Sequence, residues 1–269
     1  MKPCPILGLA LVFGLTASQP LLADDPLAAA REVEQALHLK PDLANGRRVY
    51  LVCSVCHQPE GWGTADGTYP QIAGQYAEVT IKQLADIRAR NRDNPIMLPF
   101  AMTNSLTIQD IADVSYYIEH FPMDPDNGVG PGTDLELGQR LYEENCVDCH
   151  GERGQGVPEK HSPLLQGQHY RYLVRQFELI RDGKRLNADK EMVKQIQTFS
   201  TRDIQAVMDY TSRLKPPLEM VALPGYTNPD FPRFWRPITS RGPELGMGPG
   251  MGMGPGMGIG RGMGMTLAD

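Results

Sequence analysis

Two copies of a five-residue motif, Cys-x-x-Cys-His, constrain this chain more than any other feature. They occupy residues 53–57 and 146–150, which lie 93 positions apart. Two thiols one helical turn apart can each add to a vinyl group of one porphyrin, and the histidine that follows is placed to bind its iron. The motifs therefore predict two covalently attached c-type haems. The four predicted thioether residues are Cys53, Cys56, Cys146 and Cys149.

Paired cysteines also occur in structural zinc sites and in redox-active disulfides. A zinc ribbon normally separates its two pairs by roughly 12 to 20 residues and needs no histidine after each second cysteine. A thioredoxin-like pair would lie in a βαβ pattern, and no such pattern surrounds either motif. Both alternatives fit the sequence less well than haem attachment does.

The N-terminus has the composition of an export signal. Lys2 is followed by an apolar stretch over residues 6–15, and Ala23 comes just before two aspartates. Pro20 and polar neighbours interrupt a stretch that would need about 20 apolar residues to span a membrane. The pattern predicts a signal peptide over residues 1–23, cleaved after Ala23, and a periplasmic location. Cys4 would leave with this peptide.

The formal net charge of −6 disfavours nucleic acid as a partner. It does not indicate which face a protein partner would use. Any membrane association is expected only through partners.

A constant offset of 93 residues relates the two halves of the chain from the motif to the last predicted helix. The matched positions include Gly63 and Gly156, Pro70 and Pro163, Gln75 and Gln168, Gln83 and Gln176, Arg88 and Arg181, and Tyr117 and Tyr210. The two halves are therefore copies of one fold.

Each copy is predicted to be helical. Leu173, Phe177 and Ile180 fall at helical spacing, which predicts an amphipathic helix after residue 168. The last helix of each copy begins at Thr107 or Ser200, where an acid three residues later resembles a capping box. We expect an all-α chain with two tandem domains.

The offset and the composition divide the chain into seven segments. These are a signal peptide (1–23), an N-terminal extension (24–40), domain 1 (41–121), a Pro/Gly/Asp linker (122–134), domain 2 (135–217), a Pro/aromatic segment (218–245) and a Gly/Met-rich tail (246–269). The tail is predicted to be disordered. Its six methionines also suit Cu(I), and this alternative is the less favoured one.

The order of these features resembles class I cytochrome c. The tandem arrangement resembles the diheme cytochrome c4 family, over roughly residues 41–217. This resemblance implies a few helices around one covalent haem in each domain, with Gly46 and Gly138 at a close helix crossing. It also implies that His57 and His150 bind iron and hydrogen-bond to the carbonyls of Pro70 and Pro163.

The resemblance places an axial methionine eight residues before the hydroxyl that caps the last helix. In the second half this position is Met192. In the first half it is Pro99, which cannot bind iron. Met97 is the preferred candidate there, because its Met-Leu-Pro-Phe stretch resembles the ligand loop of small class I cytochromes. Met102 stays open as the alternative.

Histidine–methionine coordination leaves no open position on iron, which suits electron transfer rather than catalysis. The resemblance thus implies a periplasmic carrier of single electrons from a membrane quinol-oxidising complex to a terminal oxidase, and not an enzyme. One alternative is the electron-accepting subunit of a periplasmic dehydrogenase, such as a flavocytochrome c sulfide dehydrogenase. A less favoured alternative is a diheme peroxidase-like enzyme. Gln75, Gln168, Arg88 and Arg181 suit the haem propionates or an interdomain contact, but a solvated or structural role fits them at least as well, so they are not assigned to the site.

Overall fold

The computed structural model describes residues 27–232, and this part of the chain is helical. Its α-helices are α1 (Ala28–Leu37), α2 (Leu43–His57), α3 (Ala77–Arg88), α4 (Leu98–Ala101), α5 (Ile108–Glu119), α6 (Leu135–Asn145), α7 (Val147–His150), α8 (Tyr170–Arg181), α9 (Lys190–Ile196) and α10 (Thr201–Ser212). Two short 3₁₀ helices, Pro158–Lys160 and Leu218–Met220, complete the list. Within residues 27–232 no strand forms, and the β-bridges are isolated. The predicted all-α class is confirmed.

Parts of the predicted organisation fall outside residues 27–232. These are the signal peptide with its cleavage after Ala23, the start of the N-terminal extension, the end of the Pro/aromatic segment and the Gly/Met-rich tail. Among the helices that the structure describes, none combines the length and the apolar composition needed to cross a bilayer.

The helices of the first half recur in the second. Helices α2, α3 and α5 correspond to α6–α7, α8 and α10, and α2 packs on α5 as α6 packs on α10. A Cβ atom on Gly46 would lie 2.3 Å from the carbonyl oxygen of Asp113, and one on Gly138 would lie 2.1 Å from that of Ala206. Only glycine permits backbones this close. The predicted glycine crossing is therefore confirmed in both halves.

Side-chain caps define where the crossing helices begin. Asp42 accepts hydrogen bonds from the backbone N–H groups of Ala44 and Asn45 at the start of α2. Full capping boxes open α5, with Thr107 and Asp110, and α10, with Ser200 and Asp203. These boxes satisfy backbone donors that the first helical turn leaves free. The sequence prediction of both boxes is confirmed.

Helix α1 lies in the N-terminal extension and packs on α3 and α5. Its buried face consists of Ala29, Val33 and Ala36, which join the hydrophobic core of the first half. Glu32 forms a 2.8 Å ion pair with Arg88 of α3. The extension thus enlarges the core of the first half, which has an element that the repeat itself does not contain.

The linker and the Pro/aromatic segment are both held in place by buried contacts. The Asn127 side chain donates to the carbonyls of Gln168 and Ser212 at 2.9 and 2.8 Å. Phe231 is 4% exposed and packs edge-on against Tyr50. The segment that follows domain 2 therefore returns to cover domain 1.

Candidate functional site

The first motif lies at the C-terminal end of α2, where His57 is the last helical residue. The His57 side chain is buried, and its carbonyl oxygen accepts a 3.0 Å hydrogen bond from Gly63 N–H. This bond turns the chain back toward the loop that contains Pro70. Gly63 has φ +67°, and a Cβ atom there would lie 2.4 Å from the Pro70 oxygen. Glycine at this position therefore lets the loop approach the histidine.

The Pro70 carbonyl fixes the orientation of the His57 ring. Its oxygen lies 3.0 Å from His57 Nδ1. A carbonyl can only accept, so Nδ1 donates the proton and Nε2 keeps a free lone pair. Burial lowers the pKa of His57, against the effect of the bond to Pro70, and the charge of Arg92 lowers it further. The ring is a neutral imidazole, which is the form that binds a metal.

The second motif has the same geometry with one local difference. His150 is buried, and its Nδ1 lies 3.1 Å from the carbonyl oxygen of Pro163. Gly156 N–H donates to the His150 carbonyl at 2.8 Å. Burial lowers the pKa of His150, although its bond to Pro163 opposes the shift. The difference is in the helix: α2 runs unbroken through its motif, whereas Cys146 separates α6 from α7.

The four motif thiols are not joined in disulfides. Burial raises the pKa of Cys53 and of Cys146 to about 12. A redox-active thiol pair needs the opposite shift, since the thiolate is the reactive form. In residues 27–232 no group of three or more His, Cys, Asp or Glu side chains is placed to hold a metal ion. The spacing of each thiol pair and the histidine that follows it is the one typical of covalent haem attachment.

The predicted distal methionine of the second half lies on α9. Asp189 caps this helix by accepting hydrogen bonds from the backbone N–H groups of Glu191 and Met192. The Met192 side chain is partly buried and packs against the core cluster that contains Tyr142 and Phe177. Met192 therefore lies at the edge of the hydrophobic core of the second half.

The corresponding loop of the first half offers two thioethers. Met97 immediately precedes the one-turn helix α4, and Met102 immediately follows it. Both side chains are partly buried. Arg88 fixes the far end of this loop by donating to the carbonyls of Ala101 and Leu106 at 2.6 and 2.8 Å. Helix α4 has four residues and α9 has seven. Pro99 stands where the offset places Met192, so neither methionine of the first half occupies the equivalent position.

Comparison with known proteins assigns this architecture. The sequence profile of the cytochrome c family matches residues 43–122 and 135–215. The chain belongs to the cytochrome c family. More narrowly, it is a member of the diheme cytochrome c4 family with two covalent haem c groups. Its function is electron transfer rather than enzyme catalysis.

Relatives of known function cover the haem domains of this cytochrome. The thiosulfate dehydrogenase electron acceptor of Stutzerimonas stutzeri is 32% identical over 193 residues, which are 65% of this chain and 88% of the relative. Cytochrome c4 of Pseudomonas aeruginosa is 31% identical over 186 residues, or 66% of this chain and 90% of the relative. The crystal structure of reduced cytochrome c4 from Pseudomonas stutzeri has a TM-score of 0.58 and 26% identity, and it covers 65% of this chain and 100% of that one.

The two domains of this cytochrome meet in a pseudo-two-fold interface that uses the predicted glutamines. Gln75 contacts both backbone groups of Leu164, at 3.0 and 3.1 Å. Gln168 contacts both backbone groups of Gln71, at 2.8 and 3.1 Å. These pairs exchange under the 93-residue offset, as an isologous contact requires. Of the roles considered for Gln75 and Gln168, the structure shows the interdomain contact.

Two residues of this cytochrome that the sequence interpretation missed lie beside these glutamines. Arg92 and Arg185 are related by the same offset, and each hydrogen-bonds to both Gln83 and Gln176. The 93-residue offset could have shown that Arg92 and Arg185 are equivalent, but not that they meet between the domains. In contrast, Arg88 and Arg181 bind carbonyls and carboxylates within their own halves.

Proposed function

We propose that this cytochrome passes single electrons through two haems that have histidine–methionine coordination. His57 and Met97 bind one iron, and His150 and Met192 bind the other. The thioether bonds are formed by the four motif cysteines, and the carbonyls of Pro70 and Pro163 hold the proximal rings. The two domains extend over residues 41–121 and 135–217.

The observation that carries this proposal is the duplicated histidine–proline contact. The two Nδ1–carbonyl distances, 3.0 and 3.1 Å, agree between halves. In each half the contact leaves Nε2 as the single nitrogen able to bind a metal. A hydrogen bond to the other ring nitrogen also raises the basicity of the ligand. Both domains thus hold a histidine that is fixed for the same role.

When bound, each haem supplies a one-electron iron couple. The chain sets the properties of that couple through its own side chains. Methionine ligation by Met97 and Met192 would raise the reduction potential of each haem and would leave no site for peroxide or oxygen. Core side chains around α9 limit the access of water to Met192. These features favour a carrier over a peroxidase-like enzyme. We therefore expect that this protein does not turn over peroxide.

The ligand assignment of the first domain is tested by Met97→Ala and Met102→Ala in the full haem-loaded chain. We expect Met97→Ala to abolish the iron–thioether absorption band of one haem and to lower its potential. Met102→Ala is the matched control from the other end of α4, and it should keep both bands. The reverse result would assign Met102, and loss of one band in both variants would contradict the assignment to a single ligand.

The proposed partners are a membrane quinol-oxidising complex as donor and a terminal oxidase as acceptor, in the periplasm. One relative, a cbb3-type cytochrome c oxidase subunit FixP of Bradyrhizobium, is 27% identical over 131 residues. Recovery of a periplasmic protein with the mass of residues 24–269 plus two haems would support export and cleavage after Ala23. Recovery of the uncleaved chain would contradict them.

The electron-accepting subunit of a periplasmic dehydrogenase is the second candidate, and one comparison favours it. The relative from Stutzerimonas stutzeri is a thiosulfate dehydrogenase electron acceptor. Purification of the native chain separates the two candidates. A catalytic subunit that stays bound through purification supports the subunit function. A free cytochrome that the oxidase reoxidises rapidly supports the carrier.

A further inference from the structure

Arg92 and Arg185 bring two positive charges together between the domains. The side-chain oxygen of Gln83 accepts from Arg92 at 2.9 Å and from Arg185 at 2.8 Å. The side-chain oxygen of Gln176 accepts from the same two arginines at 3.2 and 3.0 Å. Each guanidinium therefore contacts both halves of the chain, and the two groups reach the same two atoms.

The partners of this pair do not balance its charge. Besides the two amide oxygens, Arg92 donates to the Tyr172 hydroxyl at 2.9 Å, and Arg185 donates to the Asn187 amide at 3.1 Å. Within residues 27–232 neither arginine forms an ion pair with a carboxylate. The neighbouring carboxylate, Asp86, is already bound by Lys82 and by Asn187.

Two partly buried like charges destabilise each other unless an anion joins them. Burial and the charge of Arg92 together lower the pKa of Arg185 to about 10. The same two arginines lower the pKa of Tyr172 against the effect of its burial. An anionic group of the fully assembled protein would relieve this repulsion.

The position of the pair indicates which anion that is. Arg92 donates to the Tyr172 hydroxyl, and the Tyr172 backbone packs closely on Gly67. Gly67 belongs to the loop that leads to the Pro70 carbonyl, which hydrogen-bonds to His57, so the pair lies beside the loop that orients the proposed iron ligand. A haem carries two propionate carboxylates at one edge of its ring. The planar guanidinium matches a carboxylate with two parallel hydrogen bonds, which makes arginine the residue suited to this anion.

We propose that Arg92 and Arg185 bind haem propionates at the domain interface and that this shared pair sets the potentials of both haems together. The proposal rests on the haem positions given under Proposed function. Since each guanidinium contacts both domains, removal of either charge should affect both haems. Arg88 and Arg181 do not serve this purpose, because contacts within their own halves already engage them.

The test measures both midpoint potentials of the full haem-loaded chain by spectroelectrochemistry. The variants are Arg92→Gln and Arg185→Gln, with Arg92→Lys and Arg185→Lys as charge-retaining partners. A nearby positive charge disfavours ferric iron, so each glutamine variant should lower both potentials. Each lysine variant retains the charge and should keep both potentials close to the wild-type values. Arg202→Gln, at an exposed pair with Asp134, is the matched control and should leave both potentials unchanged.

Two results would overturn the proposal. One is a pair of unchanged potentials in the glutamine variants, and the other is an equal shift in the lysine and glutamine variants, which would indicate a packing role. If a glutamine variant does not load haem, the matching lysine variant tests the proposal. Because it retains the charge, its two potentials must stay near the wild-type values, and a shift would contradict the proposal. The iron–thioether bands are recorded in every variant. A wild-type protein without those bands would count against the proposed ligation and not against the arginine pair.

Discussion

Gln168 and Gln71 form a two-point contact between the domains. The Gln71 backbone N–H donates to the Gln168 side-chain oxygen at 3.1 Å, and the Gln168 side-chain nitrogen donates to the Gln71 carbonyl at 2.8 Å. Both residues are buried. The side-chain amide of Gln168 thus satisfies both backbone groups of a loop residue in the other domain. Because Gln75 repeats this contact with Leu164, the interface has two equivalent attachment points.

We expect Gln168→Ala to weaken the interface, since it leaves two buried backbone groups of Gln71 without partners. The loss should be about 2 kcal/mol in the free energy of unfolding. Denaturant unfolding of the haem-loaded protein measures this loss of stability. The control is Gln139→Ala, on the exposed face of α6, which should change the free energy of unfolding little. A Gln168→Ala variant as stable as the control would show that water replaces the contact.

The interface also predicts a pH dependence through His169. Gly128 N–H donates to His169 Nδ1 at 3.0 Å, so Nε2 carries the proton and donates to the Trp62 carbonyl at 2.7 Å. Burial lowers the pKa of His169, although the Trp62 bond and nearby aspartates oppose it. A second proton on the ring would remove the acceptor that Gly128 uses. Only the neutral form of His169 can therefore accept the hydrogen bond from Gly128 of the linker.

A histidine with a lowered folded pKa contributes stability above its unfolded value of 6.5 and loses it as the pH falls through the folded value. We expect unfolding free energy to decrease as the pH falls below 6.5. In His169→Gln, which cannot titrate, this part of the decrease should disappear. The control is His38→Gln on the surface, and it should keep the wild-type profile. Identical profiles for wild type and His169→Gln would contradict the prediction.

The capping box of α10 predicts a smaller effect at acid pH. The Ser200 hydroxyl and backbone lower the pKa of Asp203 below 3.8, with burial opposing them. A carboxyl of this kind contributes stability above 3.8 and loses it as the pH falls through its folded value. Ser200→Ala should cost about 1 kcal/mol near neutral pH and reduce this acid dependence. Exposed Thr198→Ala is the control, and equal stability of the two variants in thermal unfolding would contradict the prediction.

The parts of the structure that depend on local sequence could be predicted. Thr107 and Ser200 marked the starts of two helices, and the fixed separation of His57 from Pro70 recurred in the second half. The pairing of Arg92 with Arg185 could not be predicted in the same way, because it depends on how two domains dock. The choice between Met97 and Met102 could not be predicted either, because Pro99 stands where the offset places Met192 and a methionine lies on each side of it.

The return of the C-terminal segment to domain 1 was likewise beyond the sequence pattern, which contains no repeat after residue 217. Its contacts are nevertheless specific. Asp230 accepts a 2.6 Å hydrogen bond from the Tyr117 hydroxyl and forms an ion pair with Arg47. Phe231 covers Tyr50 at the α2–α5 crossing. Tyr117 is buried, whereas Tyr210, its counterpart under the 93-residue offset, stays partly exposed.

We therefore expect Phe231→Ala to destabilise domain 1 selectively. Loss of a buried phenylalanine that packs on Tyr50 should cost about 3 kcal/mol. Hydrogen exchange reports each domain separately, so faster exchange should appear in α2 and α5 while α6 and α10 keep their protection. Leu223→Ala, at a side chain that is 78% exposed, is the control from the same segment and should change neither domain. Equally faster exchange in both domains would contradict this prediction. It would mean that the segment stabilises both domains, because removal of Phe231 can affect α6 or α10 only by disrupting the domain interface.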